Sequence, residues 1–368
     1  MHLNHTPKRE FTFVEGLAFT FAYIGIQLCS ETFNTWGTYF YSPTEGTDRI
    51  IYVPIAWVGA IFIIATIWDA FTDPYVGGLS DRTPSQPGRW RLPRITGRRR
   101  PWIFWGSIGM VFTFVFAWYP PVADTSWWNF AYGAFMMCAH WLMFTITTVP
   151  ILALGPEVAR TARERARLGV FIGFGFIIGL AIASALTGSL VTMLDTAPEG
   201  EPTSPVGYRR VALLYALASL ILFQGIVWLV RERFTPVTEH RLEVPFLTAL
   251  RQAFTNVPFL CYFGGFFMFS AGFLAAQRVI AYWAEVGLEG DEGTVTLLLL
   301  PYIVSALLTI AATPWVAARL RAKWMMVIAL GILSTSLPFM WPVAILDADS
   351  QTKIVLGALL FAYAGIAS

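Results

Sequence analysis

Charge is what this sequence has little of. Only 13% of its 368 residues are charged, against 56% hydrophobic, whereas soluble domains carry about 25% charged residues. That deficit excludes an ordinary water-soluble globule and points to an all-α polytopic membrane protein. The formal net charge of +2 gives no sign of nucleic-acid binding. Cysteine is scarce: Cys29, Cys138 and Cys261 lie singly in apolar segments, which excludes metal or redox spacing and leaves them as small core hydrophobes. Of four histidines, only His140 falls inside an apolar segment. A phosphate loop is also missing. The glycines from Gly169 to Gly179 come without its lysine and read as close helix packing, which argues against ATP as the driving force. The polar run Met1–Glu10 leads straight into an apolar segment too long for a signal-peptide core.

What is present is a series of apolar segments of spanning length, at 12–41, 50–79, 101–121, 127–154, 167–194, 208–230, 257–285, 293–318, 323–346 and 352 to the end. The loops between them alternate in charge. One set carries Arg82, Arg89, Arg91, Arg94 and Arg98 to Arg100, then Arg160 to Arg167, then Arg319 to Lys323; the other carries Glu45, Asp48, Asp124, Asp195, Glu285, Glu289 and Asp349. By the positive-inside rule the N-terminus is cytoplasmic.

A long mixed loop, Arg231 to Asn256, divides the chain, and Val244 to Phe254 within it reads as a short amphipathic surface helix. Thr72-Asp73-Pro74-Tyr75-Val76 is echoed about 240 residues later by Ala312-Thr313-Pro314-Trp315-Val316, and Tyr39–Gly46 is echoed by Tyr282–Gly290 at nearly the same offset. Such repeats imply two homologous six-helix halves. The expected domains are an N-terminal bundle over 1–235, a cytoplasmic connection over 236–256 and a C-terminal bundle over 257–368. Twelve spans complete two such halves and about ten are present, so the expectation is a C-terminally truncated piece of a longer protein.

The segment 50–79 contains Asp69 and Asp73, four residues apart and so on one helical face, with Cβ atoms roughly 6 Å apart. Asp69 lies about ten residues from the segment's end, or ~15 Å, which is half of a ~30 Å hydrocarbon core. Acids at that depth are costly unless they face a cavity, a partner or an ion. With no cation between them, two close carboxylates cannot both ionise easily, so one would hold a proton.

Gly77-x-x-x-Asp81-Arg82, followed by Gly97-Arg98-Arg99-Arg100, is similar to the loop signature of the major facilitator superfamily. The larger block from Trp68-Asp69-Ala70-x-x-Asp73-Pro74 through Leu79-Ser-Asp-Arg82 to Arg100-Pro-Trp102 resembles the glycoside–pentoside–hexuronide cation symporters, as does Leu154-x-Pro-Glu157 with Arg163-Glu-Arg-Ala-Arg167. The resemblance implies the major facilitator fold and cation-coupled symport. It makes Asp69 and Asp73 the cation ligands, with Thr72 and Thr145 supplying hydroxyls. Thr72 stands where a well-known sugar carrier of the family has Asn, which leaves sodium and proton coupling both open.

Gln27 and Thr148 fall at the family's two sugar-binding aspartates, and Leu152 at a tryptophan, a set that argues against an α-galactoside. Gln27, Glu31 and Asn34, with Thr38 beyond, form a polar stripe, and Trp141, Thr145 and Thr148 another. Together they suit a neutral sugar. Asp81, Arg82, Arg98 and Arg99 are expected to organise the basic loop, and Arg278 to pair with Glu31 as an outer gate. The expectation is a monomeric symporter of a sugar or glycoside in the plasma membrane. It needs no cofactor beyond the coupling Na+ or H+, and its partners are the solute, the cation and the bilayer. A sodium-coupled lysolipid carrier of the same fold is the alternative, since such carriers share the Asp-x-x-x-Asp-Pro block. An intramembrane aspartyl protease would need a Gly-x-Gly-Asp motif, which is absent.

Overall fold

The computed structural model describes residues 11–44, 49–83, 97–197, 204–230, 232, 246–317, 319–320 and 322–366. Arg89, Arg91, Arg94, Glu45, Asp48 and most of the connection before Phe246 lie outside the described residues.

The apolar segments are helices. They are α1 (Phe13–Tyr41), α2 (Ile55–Arg82), α3 (Arg100–Phe116) and α4 (Trp127–Val158). Then come α5 (Ala162–Leu180, continued to Leu194), α6 (Pro205–Leu229), α7 (Phe246–Thr255) and α8 (Val257–Gly287). The last three are α9 (Glu292–Ala317), α10 (Ala322–Ser336, continued to Ala344) and α11 (Ser350–Gly365). Seven of the described helices are long and apolar enough to cross a membrane. The short helix α7 sits where the amphipathic segment is expected, and the other ten match the ten apolar segments. The third is shorter than its apolar run because Tyr119-Pro120-Pro121 follows it, and residues before proline leave the helical region.

The starts are written locally. Thr12 and Glu15 form a capping box on α1, and Thr161 and Glu164 form one on α5, satisfying amides that lack helical partners. Glu164 Oε1 also accepts from the Phe11 amide at 2.9 Å, tying the chain's start to α5. Asn129 fixes the turn before α4: its amide donates to the carbonyls of Tyr52, Val122 and Asp124 at 3.2, 2.9 and 2.8 Å.

Two ends of the bundle can be told apart. The basic end carries the start of α1 and Arg98 to Arg100; the acidic end carries Asp124, Glu285 and Asp349. In the first half, α1 packs on α5 and α6, α2 on α4, and α3 on α4 and α6. Its acidic end closes on an aromatic core. Phe33 stacks on Trp118 at 5.0 Å, Trp118 on Tyr208 at 6.0 Å, and Phe40 meets Trp118 edge-on at 4.9 Å.

Among the described residues, three π-helical turns interrupt the long helices, at Phe33–Gly37, Ala181–Leu186 and Trp283–Gly287. The first packs against α8 and the second against α9, so the inserted residues lie where the two halves meet. Thr35 and Ser184, one from each of the first two turns, are hydrogen-bonded at 3.1 Å.

Candidate functional site

Asp69 and Asp73 stand one turn apart on α2, and α4 brings a hydroxyl to both. Thr145 Oγ1 lies 3.0 Å from Asp69 Oδ1 and 2.7 Å from Asp73 Oδ1. Thr145 is fully buried, while Asp69 is half-buried and Asp73 exposed. One hydroxyl carries one hydrogen and can donate to only one of these oxygens. The three oxygens can accept a further positive centre, either a proton on one carboxyl or a hard cation among them. Oxygen donors of this kind suit hard cations and not soft metals. Among the described residues, no group of three His, Cys, Asp or Glu side chains could hold a metal ion.

Thr72 corrects the sequence reading. Its hydroxyl donates to the Asp69 carbonyl at 3.2 Å, and the residue is buried. In apolar surroundings a hydroxyl satisfies itself on the preceding turn of its own helix. Thr72 therefore does not join the three oxygens.

The polar stripe on α1 is also rearranged. Gln27 is buried against Gly179 of α5, where a Cβ would fall 2.6 Å from its own Cβ, and its Nε2 finds no partner among the described residues. Asn34 Nδ2 donates to Glu31 Oε1 at 3.4 Å. The π turn from Phe33 then adds a residue to the helical repeat and rotates Thr38 out of line with Gln27 and Glu31. On α4, Thr148 Oγ1 donates to the Phe144 carbonyl at 2.9 Å, and Trp141 lies edge-on to Phe144 at 5.0 Å. None of Gln27, Glu31, Asn34, Trp141 and Thr148 lines the cavity of about 570 Å³ formed by α1, α5 and α8 to α11. Its walls are instead mostly apolar, with Leu180, Met268, Ile280, Leu299 and Phe361 beside the bonded pair Thr35 and Ser184.

At the basic end Arg99 is buried and bonds two acids. Its Nη2 lies 2.9 Å from Asp81 Oδ1 and its Nε 2.8 Å from Glu157 Oε1. Arg98 reaches the same Glu157 oxygen at 2.7 Å and donates to the Asp81 carbonyl at 3.1 Å. Arg82 is exposed at the end of α2. Glu232, just beyond α6, is the residue that sequence reasoning missed. Its carboxylate accepts from the amides of Arg98, Arg99 and Arg100 at 2.5, 2.7 and 2.7 Å, where α3 begins. Gly97 permits this: its φ is +123°, and a Cβ there would fall 2.5 Å from the Glu232 carboxyl carbon. The available signal was the bare amides at the start of α3, which call for an anion.

Arg278 does not make the expected gate. Its guanidinium lies over the ring of Phe62 on α2, 3.7 Å from the centroid, with no ion pair to Glu31. Instead, the acidic end is held shut by uncharged contacts and one acid. Tyr39 meets Tyr282 edge-on at 5.2 Å, the Tyr282 hydroxyl donates to the Ser42 carbonyl, and Thr44 donates to Glu285. His140 is fully buried, with Nδ1 3.4 Å from Thr113 Oγ1 and its ring edge-on to Phe33 at 5.1 Å. That is the setting of a core histidine.

The family described as MFS/sugar transport protein matches residues 18–368. The chain belongs to that family. This bears out the resemblance to the glycoside–pentoside–hexuronide symporters within the major facilitator superfamily. The chain is similar to the isoprimeverose transporter of Lactiplantibacillus pentosus, at 25% identity over 301 residues, covering 80% of this chain and 58% of the relative. It is similar to the same extent to the sodium-dependent lysophosphatidylcholine symporter 1 of Gallus gallus, at 25% identity over 324 residues and again 80% and 58%. It thus spans 58% of the length of these curated relatives. Its fold is like that of a D-xylose-proton symporter, with a TM-score of 0.50 and 14% identity over 96% of this chain and 78% of that one. The protein is an integral membrane protein with the major facilitator architecture.

Proposed function

We propose that this protein is a secondary active transporter that couples a monovalent cation to the symport of a sugar or glycoside by alternating access. The observation that carries the reading is the meeting of Asp69, Asp73 and Thr145 through three oxygens. Such a set holds Na+ or a proton and changes its net charge when it does so. The relatives named as transporters and symporters support the same reading. The basic end is cytoplasmic by the charge rule, the N-terminal six-helix bundle is joined to the helices α8 to α11 by the connection containing α7, and the transporter works as a monomer in the plasma membrane.

The test is uptake of a labelled sugar panel into vesicles, with and without a sodium or pH gradient, normalised to inserted protein. Asp69→Asn and Asp73→Asn should insert normally, because each removes an intramembrane charge, and should lose gradient-driven accumulation. Wild-type accumulation by both variants would refute the reading.

A second reading is an amphiphile carrier of the same fold. The mostly apolar walls of the 570 Å³ cavity favour it, and counterflow with lysolipids in place of sugars separates the two.

A further inference from the structure

Arg278 is a cation that the coupling site does not use. It is more than half buried, and its Nε has no hydrogen-bond partner. No carboxylate lies within ion-pairing distance of it among the described residues. At 3.7 Å from the ring centre the guanidinium rests on the face of Phe62. A cation–π contact stabilises the charge but satisfies none of its N–H groups. Stacking uses the face of the guanidinium and leaves the planar fork of donors at its edge, the geometry that matches carboxylate and phosphate oxygens in pairs.

Its position gives this fork a purpose. Phe62, Asp69 and Asp73 are spaced 7 and 4 residues apart on α2, which puts them on one face, with Phe62 about 10 Å above Asp69. Thr66, between them on that face, is exposed. Arg278 therefore caps the same open face of α2 whose lower part holds the carboxylate pair. A solute lying along that face meets a cation-loaded acid pair at one end and a guanidinium at the other.

We propose that Arg278, seated on Phe62, is the recognition site for an oxyanion carried by the transported solute. The solute class is then a glycoside or amphiphile bearing a carboxylate or phosphate, and not a neutral sugar. This rests on the transporter reading above and adds the charge of the cargo. The acid pair takes the cation and Arg278 takes the anion, so loading both together leaves the net charge of the face unchanged as the halves move.

The experiment is calorimetric binding to purified protein in lipid nanodiscs, with methyl glucuronide, methyl glucoside and lysophosphatidylcholine as probes. Wild-type protein should bind an oxyanion probe at least about tenfold more tightly than the neutral glucoside, the scale of charge-assisted hydrogen bonds. Whether the glucuronide or the lysolipid wins identifies the source of the oxyanion. Arg278→Gln should abolish that preference, and Arg278→Lys should retain part of it. Thermal protection of both variants by Na+ or by lowered pH should match wild type, which separates recognition from misfolding. Equal binding of glucuronide and glucoside, binding of no oxyanion probe, or an unchanged preference in Arg278→Gln would overturn the proposal. Gradient-driven uptake is measured in parallel. If it is absent while the Arg278-dependent preference persists, the coupling reading fails and this inference stands. If a neutral sugar accumulates and Arg278→Gln changes nothing, the reverse holds.

Discussion

The two ends of the bundle are fastened by different chemistry. At the acidic end the bonds cross between the halves and are mostly hydroxyl and aromatic contacts: Tyr39 on Tyr282, Tyr282 on the Ser42 carbonyl, Ser189 with Thr296 at 2.9 Å. At the basic end the bonds described join elements of the first half to one another, and they are charged and multidentate, from Arg98 and Arg99 to Asp81, Glu157 and Glu232. A neutral hydrogen bond contributes about 0.5–1.5 kcal/mol net, whereas a buried charge that loses its partner costs several. On the proposed alternating-access reading, the contacts that break and reform in each cycle are the weak ones, and the strong ones lie inside one half.

Breaking the strong end should have the largest effect. Arg99→Ala leaves the half-buried Glu157 with one partner and Asp81 with none from that side chain, and should cost about 3 kcal/mol of stability. The readout is the thermal unfolding midpoint of purified protein; a midpoint unchanged from wild type would show that the network does not hold the half together.

Next in size is the Glu232 cap. Glu232→Gln keeps the shape but removes the charge facing three amides, at a cost of about 1–3 kcal/mol. Gly97→Ala should cost a similar amount by forcing the carboxylate away and by straining a left-handed backbone. Because both act on one contact, the double variant should lose less than the sum. Additive losses would mean that Gly97 serves a turn and not the cap.

At the weak end the expected change is in populations and not in unfolding. Tyr282→Phe removes the bond to Ser42 and should shift the open–closed balance of the acidic end by about fivefold, the equivalent of ~1 kcal/mol. The labelling rate of Ser42→Cys by a membrane-impermeant thiol reagent reports it, since the Ser42 carbonyl that accepts the bond is kept. An equal labelling rate with Phe at 282 would remove Tyr282 from the closure.

These contrasts also divide what was legible in the sequence. The helices were, because continuous apolar runs with charged loops leave a membrane chain few choices. Even Pro74, Pro150 and Pro156 stay inside helices. The Asp69–Asp73 pairing follows from spacing alone. The partner of a side chain was not legible where it depended on tertiary placement. The π turn at Phe33 broke a stripe drawn at ordinary helical pitch, Thr72 turned back on its own helix, and Arg278 found a ring on α2 in place of Glu31. Glu232 sits 132 to 134 positions from the amides it caps, and no local pattern links residues so far apart.

The smallest effect concerns the one ion pair described at the acidic end, Lys353 Nζ to Glu289 Oε1 at 2.9 Å. Lys353 is buried at the start of α11 and Glu289 is exposed in the loop between α8 and α9, so the pair ties that loop to α11. The hydrogen bond from Lys353, and then its charge, hold the Glu289 carboxyl below its ordinary value. A carboxylate lowered by folding contributes stability above its unfolded value of about 4.3, and that contribution is lost as pH falls through the lower folded value. Lys353→Met keeps the buried stem and removes the charge. The stability difference, wild type minus variant, should be largest near neutral pH and shrink on acidification. Because Glu289 faces solvent, added salt at neutral pH should shrink it too. A difference independent of both pH and salt would assign Lys353 to packing alone.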